Sequence, residues 1–91
     1  MELKDYRAQI DAVDDELVRL FRERMRISGR IAVYKREHGL PVRDETRERE
    51  KLAALTAASD PFREDVAALY ERIFERSRAY QARLLGGENA E

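Results

Sequence analysis

Arg24 is the residue whose position in this sequence most strongly predicts a binding partner. It interrupts an apolar ladder with steps of three and four residues, which is typical of one buried stripe on a long helix or of a coiled-coil-like seam. A guanidinium keeps its charge in proteins and is costly to desolvate without a partner. We therefore expect an anion at Arg24, either a carboxylate of the protein or a ligand. The ladder consists of Leu3, Tyr6, Ile10, Val13, Leu17, Leu20, Ile27, Ile31 and Tyr34.

Lys35 and Arg7 lie beside the two ends of the same stripe, next to Tyr34 and Tyr6. On one helix Lys35 is about 16 Å from Arg24, so the two long side chains could hold one small ligand between them. Arg7 and Lys35 are about 42 Å apart on one helix, so they cannot contact the same small molecule within one chain. Across an antiparallel pair of chains, Arg7 of one subunit approaches the Arg24–Lys35 region of the other.

Two further polar groups have helical spacing, and each has two possible interpretations. Asp44, Arg47 and Glu48 stand at i, i+3 and i+4, which fits either a helix cap with a surface ion pair or part of a site. Ser77 and Gln81 stand at i and i+4 within an apolar stripe, which fits either hydrogen bonding between helices or a ligand contact. The pattern alone leaves both questions open.

The composition argues against several classes of function. Charged residues make up 41% of the 91 residues, yet the net charge is only −1, and this balance argues against a nucleic-acid binder. The chain has no cysteine and one histidine, His38, so we expect no metal site, and without a glycine-rich loop we expect no cofactor. No segment has the length and apolarity of a membrane span or a signal peptide. We therefore expect a soluble cytoplasmic protein without a membrane partner.

The apolar periodicity predicts an all-α fold of three helices. The first runs from about residue 4 to residue 38, and His38, Gly39 and Pro41 are typical of a helix end. The second runs from about residue 46 to residue 58, after candidate caps that include Asp44. The third runs from about residue 61 to residue 85, with Asp60 as the expected N-cap. Residues 1–85 would form one helical domain and residues 86–91 a disordered polar tail, whose shortness suggests a free-standing chain.

The first predicted helix is too long for a compact domain of this size. About 35 residues span roughly 50 Å, whereas a compact chain of this length has a diameter of roughly 30 Å. Because the apolar stripe continues along nearly the whole helix, we expect a second copy of the chain to cover it in a homodimer with antiparallel long helices. The alternative is a bend near Gly29 that folds the helix back on itself.

Taken together, these residues resemble a known family, the all-helical chorismate mutases of the AroQ class. The resemblance covers residues 5 to about 85, and its most specific part is the stretch that begins at Pro41. It rests on Arg7, Ile10-Asp11-x-x-Asp14, Arg24, Lys35, Pro41-Val42-Arg43-Asp44-x-x-Arg47-Glu48 and Ser77-x-x-x-Gln81. It implies an intertwined homodimer of three-helix protomers with two equivalent active sites. It also implies an isomerase that converts chorismate to prephenate by a [3,3]-sigmatropic rearrangement, in phenylalanine and tyrosine biosynthesis.

The resemblance further implies a role for each cationic residue and for the amide. Arg24, together with Arg7 of the partner subunit, would bind the carboxylates of the substrate. Lys35 would contact a carboxylate and the ether oxygen, and Gln81 would donate a hydrogen bond to that oxygen.

The resemblance assigns the remaining polar residues to the ring of the substrate. Glu48, helped by Asp44, would hold the ring hydroxyl, while Ser77 and Arg47 would lie near the ring carboxylate. Such a site needs only positioning and charge stabilisation, without covalent catalysis.

Two rival functions stay open at the level of sequence. An isochorismate-pyruvate lyase shares this fold and has a similar cationic pocket. A non-enzymatic dimerising module, for instance a regulatory partner of another shikimate-pathway enzyme, would not need Arg24 or Lys35 to face inward. An active mutase could also form a complex with such an enzyme.

Overall fold

A computed structural model describes residues 1–86 of the chain. They form three helices, α1 over Leu3–Glu37, α2 over Glu45–Leu55 and α3 over Arg63–Leu84. No strand occurs within residues 1–86, so the predicted all-α, three-helix protomer with a very long N-terminal helix is confirmed. Of the predicted tail, Gly86 has a positive φ of 79° just after α3, and the other residues lie outside the described part of the chain.

Short-range hydrogen bonds explain where the helices begin and end. The Asp44 carboxylate accepts a bond from the backbone N–H of Arg47 at 2.9 Å and thereby caps α2. His38 ends α1, and Gly39 follows with a φ of 66°, a left-handed conformation that glycine adopts without penalty. The prediction of Asp60 as the N-cap of α3 is wrong. Its carboxylate accepts from the N–H of Phe62 at 2.7 Å and stabilises a turn, and the helix begins only at residue 63.

Gly29 marks a close approach of α1 and α3 and not a bend. Helix α1 is continuous through this residue, so the alternative of a folded-back first helix is wrong. A Cβ atom at Gly29 would lie 2.8 Å from Cε2 of Tyr80 and 3.0 Å from Cδ2 of Leu84. Because real Cβ atoms do not approach other carbons so closely, the missing side chain is what lets the two helices meet here.

The protomer is elongated and has a very small core. Its extents are 55 × 27 × 22 Å, and α3 packs on both other helices. Ala32 and Phe74 are the only hydrophobic residues within 1–86 that are buried. The ladder of α1, predicted to be buried, is exposed in the single chain, with Leu3 at 62% and Ile10 at 59%. The structure of one chain therefore leaves the face that was expected to bind a second copy uncovered, and the homodimer stays a prediction.

Within residues 1–86, no helix combines the length and the apolarity that spanning a membrane requires.

Candidate active site

An open cavity of about 260 Å³ lies where the C-terminal half of α1 meets α2, α3 and the loop before α2. The elements that border it are far apart in sequence, and the fold brings their polar residues around one space. Every predicted site residue except Arg7 lines this cavity, namely Arg24, Lys35, Asp44, Arg47, Glu48, Ser77 and Gln81.

Arg24 is half-buried and is oriented by neutral groups of α3. Its Nη1 donates to Oγ of Ser77 at 3.0 Å, and its Cζ lies 5.6 Å and 5.5 Å from the ring centroids of Tyr70 and Phe74. Such cation–π contacts stabilise a guanidinium without neutralising it. Among residues 1–86 no carboxylate pairs with Arg24.

Ser77 and Gln81 both connect α3 to α1 and both face the cavity. Ser77 is buried, and its hydroxyl donates a hydrogen bond to Sδ of Met25 at 3.7 Å. Gln81 donates from Nε2 to the carbonyl oxygen of Ser28 at 2.9 Å. Hydrogen bonding between helices is therefore present at both residues. An amide nitrogen carries two protons, so Gln81 keeps one donor for a ligand.

Lys35 connects α1 to the loop that precedes α2. Its Nζ donates to the carbonyl oxygen of Val42 at 3.3 Å, and the side chain is partly buried. An ammonium group has three donors. One bond to Val42 holds the side chain over the cavity, and the other two protons stay available for an anionic ligand.

Glu48 has a partner that the sequence analysis did not identify. Nη1 of Arg78 lies 2.7 Å from Oε1 and 2.9 Å from Oε2 of Glu48, and Arg78 also lines the cavity. In an arginine-rich chain a single arginine carries little signal, and Arg78 is 30 residues away from Glu48. The one available hint was its position, because Arg78 follows Phe74 by four residues and therefore lies beside the apolar face of α3.

Arg7 does not reach this cavity within the protomer. It is exposed on the first turns of α1, about 25 Å from Arg24 along the helix axis. Only a second chain could bring an Arg7 side chain to the site.

The wall of the cavity carries an excess of positive charge. Asp44 and Glu48 are its acidic residues, against six basic ones, Arg24, Lys35, Arg43, Arg47, Lys51 and Arg78. This balance suits a small ligand with more than one negative charge. Within residues 1–86 no group of three or more His, Cys, Asp or Glu side chains could hold a metal ion.

Comparison with known proteins identifies the family. The family model for chorismate mutase type II matches residues 6–82, and the chain therefore belongs to the chorismate mutase type II family. This confirms the resemblance that the sequence motifs suggested.

Solved structures of the same family superpose closely on this chain. A form II structure of chorismate mutase from Thermus thermophilus has a TM-score of 0.84 at 37% identity, over 89% of this chain and 94% of that one. A form I structure from the same organism has a TM-score of 0.79 at 39% identity, over 82% of this chain and 96% of that one.

The curated relatives that match are much longer proteins. The T-protein of Haemophilus influenzae is 42% identical over 40 residues, which is 44% of this chain and 11% of that protein. The bifunctional chorismate mutase/prephenate dehydratase of Aquifex aeolicus is 43% identical over 49 residues, which is 54% of this chain and 14% of that protein. The matched region thus spans only 11% and 14% of the length of these relatives.

Proposed function

We propose that this protein is a chorismate mutase, an isomerase that converts chorismate to prephenate by a [3,3]-sigmatropic rearrangement and acts as a homodimer. The observation that carries the proposal is a cavity in which Arg24 and Lys35 face one space while no carboxylate within residues 1–86 pairs with either. Chorismate has two carboxylates, and this charge matches the cationic wall.

Positioning of the substrate is the first contribution to catalysis. The rearrangement requires chorismate to adopt a compact diaxial shape, in which the two ends of the new C–C bond lie close together. Arg24 binds one carboxylate of chorismate. Lys35, further along α1, also contacts a carboxylate of chorismate. Ser77 and the rings of Tyr70 and Phe74 already orient Arg24. The side chain therefore loses its conformational entropy during folding and not when the substrate binds.

Stabilisation of the transition state is the second contribution. The C–O bond breaks ahead of C–C bond formation, so negative charge develops on the ether oxygen. Lys35 and Gln81 each keep at least one donor beyond the bond made within the protein. Directed at the ether oxygen in a water-poor site, such donors stabilise the transition state more than the ground state.

The remaining polar residues hold the ring of the substrate. The Glu48 carboxylate accepts a hydrogen bond from the ring hydroxyl, with Asp44 nearby. Ser77 and Arg47 lie near the ring carboxylate. The arrangement needs no covalent intermediate, because every group either binds charge or donates a hydrogen bond.

Assembly as a homodimer completes the site. The protomer has few buried apolar residues, and a small domain with so small a core is not stable by itself. An apolar groove of about 520 Å³ between α1 and α3, with Leu17, Phe21 and Ile73 in its wall, continues the exposed stripe of α1. A second copy that packs antiparallel on this surface covers the stripe, and the partner subunit's Arg7 then reaches the substrate.

One experiment tests the proposal against its rivals. Purified protein is incubated with chorismate, and the loss of chorismate absorbance is followed together with the formation of prephenate. A lyase would instead release pyruvate and salicylate from isochorismate, and a non-enzymatic module would neither turn over chorismate nor bind a bicyclic dicarboxylate that mimics the transition state. Sedimentation equilibrium gives the mass, and a monomer would contradict the shared site.

An association with another shikimate-pathway enzyme stays a separate prediction. The name of the Aquifex aeolicus relative joins chorismate mutase and prephenate dehydratase in one protein, and this supports the prediction without identifying a partner for the chain described here.

A further inference from the structure

Glu48 is the acidic residue of the cavity wall that forms an ion pair within residues 1–86, and the geometry of this pair is specific. One nitrogen of Arg78, Nη1, bridges both oxygens of the carboxylate at 2.7 Å and 2.9 Å. The exposed fractions of the two side chains are 31% for Arg78 and 24% for Glu48. The bond connects α2 to α3 at the edge of the cavity.

The choice of partner is informative because Glu48 has other cations nearby. Arg24, Lys35, Arg47 and Lys51 line the same cavity. Lys51 follows Glu48 by three residues on α2, a spacing at which helical side chains meet. Within residues 1–86, however, Glu48 pairs only with Arg78, so a cation of α3 holds the carboxylate and those of α1 do not.

We propose that Arg78 is a positioning residue that holds the Glu48 carboxylate on α3 and so keeps Lys35 and Arg47 available for the carboxylates of the substrate. This inference rests on the proposed function. It adds a residue, Arg78, that is absent from the motifs carrying the family resemblance.

The physical reason is competition for cations in a half-buried space. An unpaired carboxylate away from bulk water is costly, so it pairs with the nearest available cation. Without Arg78, Glu48 turns to a cation that the substrate needs, and each substrate molecule must displace it. With Arg78 in place, Glu48 keeps a lone pair for the ring hydroxyl and leaves the cations of α1 and α2 unneutralised.

The test is a double-mutant cycle in chorismate turnover with Arg78→Met and Glu48→Gln. We expect Arg78→Met to raise KM about tenfold or more, because Glu48 then occupies a cation and the substrate loses one charge-assisted hydrogen bond to it. We expect the added Glu48→Gln substitution to return KM to that of Glu48→Gln alone, because the competing charge is gone. The kcat of the double variant stays at the low value of Glu48→Gln, because the neutral amide oxygen accepts from the ring hydroxyl more weakly than a carboxylate does.

Further variants separate positioning from a general structural role. Arg78→Lys keeps the charge, so its KM should lie close to that of the wild type. Arg63→Met removes an exposed arginine from the same helix and should leave KM unchanged. Arg78→Gln is measured in parallel, so that a methionine variant that fails to fold leaves the comparison in place. If Arg78→Met only loosened the packing, Tm would fall and the added Glu48→Gln substitution would not return KM to that of Glu48→Gln alone.

Two results would overturn the inference while the proposed function stands. One is a KM of the Arg78 variants within about twofold of wild type. The other is a double variant whose KM stays well above that of Glu48→Gln alone, which would make Arg78 a direct ligand of the substrate.

Calorimetric titration with the bicyclic dicarboxylate gives the Kd of the same four proteins, and this measurement does not depend on turnover. If the wild type binds this compound but does not convert chorismate, the proposed function fails and the four Kd values still decide the role of Arg78. Absence of binding by the wild type would overturn both.

Discussion

Lys35 and Gln81 each use one donor within the protein and keep another for a ligand. The bond from Lys35 to Val42 and the bond from Gln81 to Ser28 fix both side chains before any substrate arrives. A donor that is already oriented needs no reorganisation when charge develops on a reacting atom. At the scale of single residues, the site therefore depends on which protons remain unused after folding.

Replacement of Lys35 tests this idea directly. We expect Lys35→Ala to lower kcat for chorismate by at least about 10²-fold, the usual effect of removing one donor to a developing anion. Lys4→Ala, which removes an exposed lysine from the first turn of α1, is the matched control and should be unchanged. A rate near that of wild type in Lys35→Ala would remove this residue from the mechanism.

Replacement of Gln81 by glutamate predicts a distinctive dependence on pH. A carboxylic acid can donate a hydrogen bond to the ether oxygen, whereas a carboxylate can only accept. Gln81→Glu should therefore be active in acid and lose activity as the pH rises and the side chain ionises. The pH–rate profile from acid to neutral pH measures this, and a profile as flat as that of the wild type would contradict the contact with the ether oxygen.

At the scale of helices, α3 positions the site because it contacts both of the other elements. Ser77 and Gln81 reach α1, and Arg78 reaches α2, from positions that lie within little more than one turn of α3. The close approach at Gly29 sets how near α1 and α3 come. A change in that spacing would move Arg24 relative to Ser77 without altering any residue of the cavity.

Enlargement of Gly29 should therefore destabilise the fold and disturb the site together. We expect Gly29→Val to lower the free energy of unfolding by about 1–3 kcal/mol, because the new side chain overlaps Tyr80 and Leu84. Ala8→Val, at an exposed position on the opposite side of α1 from the apolar stripe, shows what a valine costs in this helix where it contacts no other element. Chemical denaturation measures both, and equal losses in the two variants would contradict the proposed role of the close approach.

At the scale of the whole molecule, the exposed apolar stripe of α1 is the feature that most disfavours a stable single chain. The nine apolar side chains of the ladder, from Leu3 to Tyr34, are 43% to 62% exposed, and a monomer rarely exposes so long an apolar stripe. A second copy would bury this surface and would bring an Arg7 side chain to a site that lies about 25 Å away within its own chain. Stability and activity would then depend on the same interface.

Mixed dimers test the shared site. Arg7→Ala and Lys35→Ala homodimers should each be inactive, since every site lacks one cation. After subunit exchange, each heterodimer has one doubly altered site and one intact site, so random pairing should restore roughly a quarter of wild-type activity. Activity is measured after mixing and incubation, with each homodimer incubated alone as the control. If exchange is verified and no activity returns, the sites are not shared between subunits.

The sequence by itself determined the helices and most of the residues around the cavity. The apolar periodicity predicted α1 to within one residue at each end, and Asp44 and Gly39 marked helix ends correctly, because these signals act over three to five neighbouring residues. The spacing along each helix also placed Arg24, Ser77 and Gln81 on inward faces.

Only the tertiary structure decided how residues from different helices pair. Arg78 forms an ion pair with Glu48, 30 residues away, and Gln81 donates a hydrogen bond to the carbonyl oxygen of Ser28, 53 residues away. No local pattern encodes such partners. The start of α3 was misplaced because the same Asp60 carboxylate can cap a helix or close a turn, and the choice depends on how the chain enters the helix. Local signals fix local geometry, whereas the partner of a side chain is fixed by the packing of whole helices.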